Sequence, residues 1–374
     1  MVRNSRRWVI RMSWLVLAWL PLLAHADRLV IGQAVDLSGP SAALGRDYVA
    51  GIKTYFDGLN ARGGIQGKRI QYVVYDDRGE AAQASFAITE LIQRHQADFL
   101  LGGIGDEMTQ AVLNTPRFRN SDHILFGPVA GGTYGKNDRV ILWRPGYQHE
   151  IRHIFSHFAA LGLKDVGLVY QDTVLYRDIP KLFQEEARRQ VLRVTGTVRI
   201  GEDNERLAAE AASLAKTAPR FVIVIADSIA TGLFLKEFRK HQRDTYVAGT
   251  SLTNLETLIQ VAGPQAVEWT LFSQVVPNPR AGRSLLQVEH LDMLRRFRDE
   301  PTSSMTLEGF AVAKSLATAI SMSGQVNRNV LRDLSGKRAE IELGGFSVVF
   351  SRDQERLSRY LDLALFRKGG YLVF

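Results

Sequence analysis

Short runs of almost unbroken apolar residues alternate along this chain with longer amphipathic stretches, and that alternation restricts the fold more than any other feature. RLVIGQAV, from Arg28, reads as a strand, and LGRDYVAGIKTYFDGLNARGG as a helix closed by Gly63 and Gly64. KRIQYVVYDD and EAAQASFAITELIQRH repeat the pair; ADFLLGGI, a helix from about Asp106, and HILFGPVA continue it. Strands apolar on both sides and separated by helices predict a parallel sheet covered on both faces. After RVILWRPG the pattern restarts with DVGLVYQD, FVIVIAD, TYVAGTS and WTLFSQVVP, which predicts a second sheet. From Gly282 to about Leu334 the chain reads as mostly helical; GGFSVVFS and YLDLALFRKGGYLVF then close it with strands and a turn at Lys368, Gly369 and Gly370.

The first 26 residues stand apart. Arg3, Arg6, Arg7 and Arg11 precede an apolar run from Met12 to Leu23, which ends in Ala24-His25-Ala26. This is the pattern of a secretory signal cleaved before Asp27. SRRWVIR, from Ser5 to Arg11, also fits a twin-arginine signal, so both export routes stay open. Removing 26 residues from 374 leaves 348, enough for two domains, and takes away four arginines and no acid, lowering the formal charge from +8 to +4. A balance so weak, with no long basic run, gives no reason to expect nucleic acid as a partner. With no cysteine, the chain has neither disulfides nor thiolate metal sites, and its stability must come from its cores.

Parallel sheets bind ligands at the carboxyl ends of their strands. The first such loop, DLSGPSAALG, lacks the spacing and the lysine of a phosphate loop, and GGIGDEM begins a G-x-G-x-x-G but carries Met108 at the third glycine. Small residues at a helix start can instead present backbone N–H groups to a carboxylate or another polar ligand. His149, Glu150 and His153 form H-E-x-x-H, the zinc-protease signature on a helix. With His157 the histidines recur every fourth residue on one face, yet Ala159 stands where the metzincin pattern has its third histidine. A glutamate farther along the chain, such as Glu185, could serve as the third ligand of a zinc site. Within an α/β chain of this kind the histidines are read as solvated positions, and no Ser/His/Asp elbow is present.

The stretch IGQAVDLSGPSAALGRDYVAGIKTYFDGLNARGGIQGKRIQYVVYDDRGEAAQA is similar to the opening of the periplasmic leucine/isoleucine/valine-binding proteins, the receptors of ABC importers. WRPGYQ, VGLVYQDTVLY, TYVAGTSL, LEGFAVAKSL and GGFSVVF extend the resemblance over nearly the whole mature chain. The resemblance implies a type I periplasmic-binding-protein fold: two lobes, each a parallel sheet flanked by helices, three interlobe crossings and a ligand held in the cleft. The expected lobes are residues 27–145 with 278–338, and 146–277 with 339–374. It further implies a monomer without cofactor or metal that hands a small polar solute, an amino acid or a related carboxylate or amide, to an inner-membrane permease and ATPase from the periplasm. The expected ligand-binding residues are Ser38, Gly105, Asp106, Val129, Ala130, Gly131, Tyr176, Asp227 and Ser251. Several depart from the family pattern. Gly105, Asp106 and Gly131 stand where hydroxyls are expected to hold a ligand carboxylate, and Ser251 stands where an acid is expected to take the ammonium. Tyr176 matches the aromatic residue that covers the ligand, with Tyr134 as a second such surface. Asp106 is read either as an acceptor facing the ligand or as the cap of its helix. A sensor receptor of the same fold, and a zinc hydrolase using His149, Glu150 and His153, remain as alternatives.

Overall fold

The computed structural model describes residues 28–135, 138–172, 178–201, 206–324, 326–354, 356–367 and 371–374. The expected export signal, Tyr176 and the Lys368-Gly369-Gly370 turn lie outside these residues. The first part of the chain runs β1 (Arg28–Val35), α1 (Ala42–Ala61), β2 (Arg69–Asp76), α2 (Ala81–Gln93), β3 (Phe99–Leu101), α3 (Asp106–Asn114), α4 (Pro116–Arg119), β4 (Leu125–Phe126) and β5 (Val140–Ile141). Its five strands form one all-parallel sheet in the order β2-β1-β3-β4-β5.

The second part continues with α5 (Tyr147–Ala160), β6 (Asp165–Gln171), α6 (Ile179–Arg189), β7 (Arg193–Ile200), α7 (Leu207–Lys216), β8 (Phe221–Ile225), α8 (Ser228–Phe238), β9 (Tyr246–Gly249), α9 (Leu255–Ala262), α10 (Pro264–Val267) and β10 (Thr270–Gln274). The chain then returns to the first lobe as α11 (Leu285–Phe297), α12 (Ser304–Met322), α13 (Val330–Lys337), β11 (Ala339–Glu342) and β12 (Ser347–Phe350), and ends with β13 (Asp362–Arg367) and β14 (Tyr371–Val373). The second sheet has the order β14-β13-β10-β9-β8-β6-β7, with β13 and β14 joined antiparallel at one edge.

Alternation along each strand distributes side chains to two faces, and both faces are covered. Leu29 and Ile31 of β1 pack with α1, α11 and α12, whereas Val30 packs with α2 and α3 on the other side. In β8, Val222 and Val224 join one cluster while Phe221, Ile223 and Ile225 join the opposite one. The first lobe is drawn tight where α1 crosses α12. A Cβ added at Gly51 would lie 2.0 Å from the Thr306 carbonyl oxygen, and one at Gly309 would lie 2.2 Å from that of Tyr48, so only glycine permits this approach.

The chain crosses between the lobes three times: after β5, after β10 and after Leu357, whose side chain still belongs to the first core. That third crossing differs from the expected division. Ile341, Leu343, Val348, Phe350 and Leu357 are buried in the first lobe's core, so the antiparallel β11–β12 ribbon sits there and not in the second lobe with the rest of 339–374. The apolar side of this two-stranded ribbon needs a core to cover it, and the α12–α13 surface supplies one.

Candidate functional site

Loops at the carboxyl ends of the two sheets face each other across the cleft. The loop after β1 is fixed by carboxylates: Asp36 accepts from the backbone N–H of Gly39 and of Ser41 (2.5 and 2.8 Å), and Asp76 accepts from Leu37 N (2.9 Å) and the Ser38 hydroxyl (2.6 Å). Opposite, Asp227 caps α8 by accepting from Ala230 N at 2.8 Å, and Asn254 caps α9 by accepting from Thr257 N at 2.8 Å. Between them lies a cavity of about 20 Å³ lined by Pro40, Ser41, Ala43 and Leu44 of the first lobe and by Asp227, Ser228, Leu252, Asn254 and Thr257 of the second. The starts of α1, α8 and α9 thus converge on one space, and their N–H groups favour an acceptor or anionic group there. The volume suits about one water.

The expected binding residues are distributed unevenly around this cavity. Asp227 lines it, and Ser251 precedes its wall residue Leu252. Ser38 is exposed and bonded to Asp76, one turn of chain from the lining. Gly105 and Val129 join two first-lobe loops, with Gly105 N donating to Val129 O and Val129 N to Gly103 O, both at 2.9 Å. The carbonyls of Ala130 and Gly131 accept from the buried Arg356, which also bonds Gly132 O and Arg144 O. A Cβ on Gly131 would lie 2.6 Å from the Tyr147 ring, which explains why a β-branched hydroxyl residue does not stand there.

Asp106 is neither a helix cap nor a free acceptor. It begins α3, whose N-cap is Gly105, and its side chain makes no capping bond. Instead its buried carboxylate accepts from Gly132 N (2.8 Å) and the Tyr134 hydroxyl (2.5 Å) on one oxygen and from the Tyr147 hydroxyl (2.9 Å) on the other. Tyr147 opens α5 in the second lobe, so Asp106 ties the first lobe to the start of the crossing helix. Burial and the adjoining carboxylate hold the Tyr134 phenol well above its ordinary value, so it remains a donor.

Ser251 brings in residues that sequence reading missed. Arg144, fully buried in the first crossing, donates to the Ser251 hydroxyl. The Ser251 N–H donates at 2.8 Å to Glu150, which also receives the Ser273 hydroxyl. An acid therefore does stand beside position 251, on α5 and not on the loop. This geometry also answers the H-E-x-x-H motif. Glu150 points into the protein and is fully buried, whereas His149 and His157 are exposed and His153 is half-buried. No cluster of three metal-ligating side chains occurs among the described residues, and the buried neighbour of Glu185 is Glu186, bonded to Arg152, Gln148 and Arg189.

Comparison with known proteins agrees with this architecture. The chain is 40% identical over 76 residues to the Leu/Ile/Val-binding protein BraC3 of Rhizobium johnstonii, a match spanning 20% of each chain. The curated relative is thus matched over about a fifth of its length. Solved structures match over far more. A substrate-binding periplasmic protein from Ralstonia solanacearum is 24% identical, with a TM-score of 0.81 over 92% of this chain and 99% of that one. An extracellular ligand-binding receptor from Verminephrobacter eiseniae is 22% identical, with a TM-score of 0.85 over 93% and 100%. A branched-chain amino acid transporter substrate-binding protein from Streptococcus pneumoniae, in complex with isoleucine, is 19% identical, with a TM-score of 0.79 over 92% and 98%. At these identities the structural matches speak for the fold alone. The sequence profile of the family described as periplasmic binding protein matches residues 29–370, and the chain belongs to that family.

Proposed function

We propose that the protein is a periplasmic solute-binding protein of an ABC importer, non-catalytic, which holds a small polar solute between its lobes and delivers it to an inner-membrane permease and ATPase. The observation that carries this reading is the cavity built half from the loop after β1 and half from the loops after β8 and β9, a site that neither lobe supplies alone. Three helix starts converging there favour a carboxylate or amide oxygen on the solute. Glu150, the acid beside Ser251, is fully buried, does not line the cavity and already accepts from Ser251 N and the Ser273 hydroxyl, so a ligand ammonium in the cavity does not meet it. Ser38, Gly105, Val129, Ala130 and Gly131 belong to this reading as loop positions bordering the cleft, and Tyr176, outside the described residues, as the aromatic residue that the resemblance assigns to cover the solute.

A thermal-shift panel tests it. Leucine, isoleucine, valine and phenylalanine are compared with their deaminated acids and their amides. A solute at about 1,000 times its dissociation constant stabilises the fold by about 4 kcal/mol, a shift the assay resolves. Stabilisation by deaminated acids or amides supports the reading. Stabilisation by the amino acids alone would show that the ammonium is recognised after all, and no response from any compound would remove this solute class.

A further inference from the structure

Arg144, Glu308 and Glu150 form a buried charge cluster at the junction of the lobes. Their exposures are 0%, 2% and 0%. Glu308 sits on α12 in the first lobe, with Arg144 Nη1 3.6 Å from its carboxylate. Glu150, Ser251 and Ser273 belong to the second lobe, and the Arg144 bond to Ser251 joins the two sides. The cluster is incompletely satisfied. Arg144 Nε and Nη1 and Glu150 Oε1 are buried and find no hydrogen-bond partner among the described residues.

Arg144 pairs with Glu308, and Glu150 is a second buried carboxylate close enough to act on Glu308, so the cluster holds an excess negative charge out of water. The other groups facing the cluster do not cancel it. Arg356, just before the third crossing, faces Glu150 but also Asp106, and its donors are spent on the carbonyls of residues 130–132 and 144. Tyr48, on α1, faces Glu308 with a neutral phenol that donates to Gly127 O. A proton on Glu308 removes the excess charge and leaves Arg144 opposite Glu150. Burial first, and Glu150 in addition, raise the Glu308 carboxyl above its ordinary value against the opposing pull of Arg144.

We propose that Glu308, Arg144 and Glu150 form a proton-linked latch between the lobes, in which closure is accompanied by uptake of one proton from solvent on the Glu308 carboxylate. Parting the lobes breaks the Arg144 bond to Ser251 and returns water to all three charges, so the open form holds Glu308 ionised. The closed form gains as pH falls, by up to about tenfold in the closed-to-open ratio per pH unit between the open-state and closed-state values of Glu308. The latch rests on the lobe movement of the proposed function, but it requires no solute.

The chain has no cysteine, so Lys53→Cys on α1 and Lys236→Cys on α8, both exposed, place one spin label on each lobe. Pulsed electron–electron distances are measured without solute from pH 5 to pH 8. The latch predicts a shorter-distance population that grows as pH falls, and in Glu308→Gln a high population that no longer varies with pH. Two populations whose ratio ignores pH in the unaltered chain would overturn the latch and leave lobe movement intact, as would an unchanged pH profile in Glu308→Gln. Should that variant fail to fold, the profile of the unaltered chain decides. A single distance at every pH overturns the lobe movement itself.

Discussion

Asp106 offers the sharpest separation between a ligand contact and a structural tie. Its carboxylate accepts three hydrogen bonds, two of them from Gly132 N and the nearly buried Tyr147 hydroxyl. Asp106→Ala removes the acceptor of both at about 1–3 kcal/mol each, while the half-buried Tyr134 hydroxyl can turn to water. The expected loss is about 2–6 kcal/mol, and a domain of this size loses about 2–4 °C of Tm per kcal/mol, so a fall of about 4–24 °C follows. Asp106→Asn keeps one acceptor oxygen, and the Tyr147 hydroxyl can accept from the new amide, which limits its loss to about 1–2 kcal/mol. Thermal melts of solute-free protein followed by circular dichroism read both variants. A ligand-facing aspartate would behave in the opposite way, with the solute-free melt unchanged and only the response to solute lost. An Asp106→Ala melt within about 1 °C of the unaltered protein would refute the structural role.

Three further outcomes follow from buried groups. His149→Ala and His153→Ala should change stability by less than about 0.5 kcal/mol, whereas Glu150→Ala, which strands Ser251 N and the Ser273 hydroxyl, should cost about 3–5 kcal/mol in urea unfolding; equal effects would restore the motif as a unit. Burial, with Asp36 and Asp76 nearby, pushes the fully buried Asp77 up to about 6. Because that folded-state value is raised, its contribution is present in acid and lost as pH rises towards 6 and beyond, so Asp77→Asn should raise the melt at pH 7.5 and leave it unchanged at pH 4. Gly131→Thr should destabilise by about 1–3 kcal/mol through overlap with the Tyr147 ring, and no loss in a melt would show that the ring moves aside.

Much of the fold is legible in the sequence because a parallel strand buried on both faces leaves a continuous apolar run, as β1, β8 and β10 do. Strand β7 escaped because it lies at the sheet edge, half exposed, with Arg193, Thr195, Thr197 and Arg199 interrupting its apolar positions. The placement of β11 and β12 was misread because a strand's own pattern says that one side is buried, not which core buries it. At the site, residue types were readable and partners were not. Asp106 could be singled out as a departure, but Tyr147 lies 41 positions away and reaches it only through the lobe crossing. Arg144 and Glu308 gave one usable signal, which Arg356 in the polar DQERLSR does not share: a charge inside an otherwise apolar stretch, as in ILWRPG or TLEGFAVA, requires a buried partner.

Calorimetric titration of solute-stripped protein is the most direct test of the central claim. The protein is unfolded, freed of small molecules, refolded, and titrated with whatever compound mass spectrometry finds released from natively purified material. A solute-binding cleft takes up one solute per chain, with binding weakened by Asp227→Ala at the cavity wall. A released compound that fails to rebind, or the absence of any saturable site for it, would contradict a solute-binding cleft.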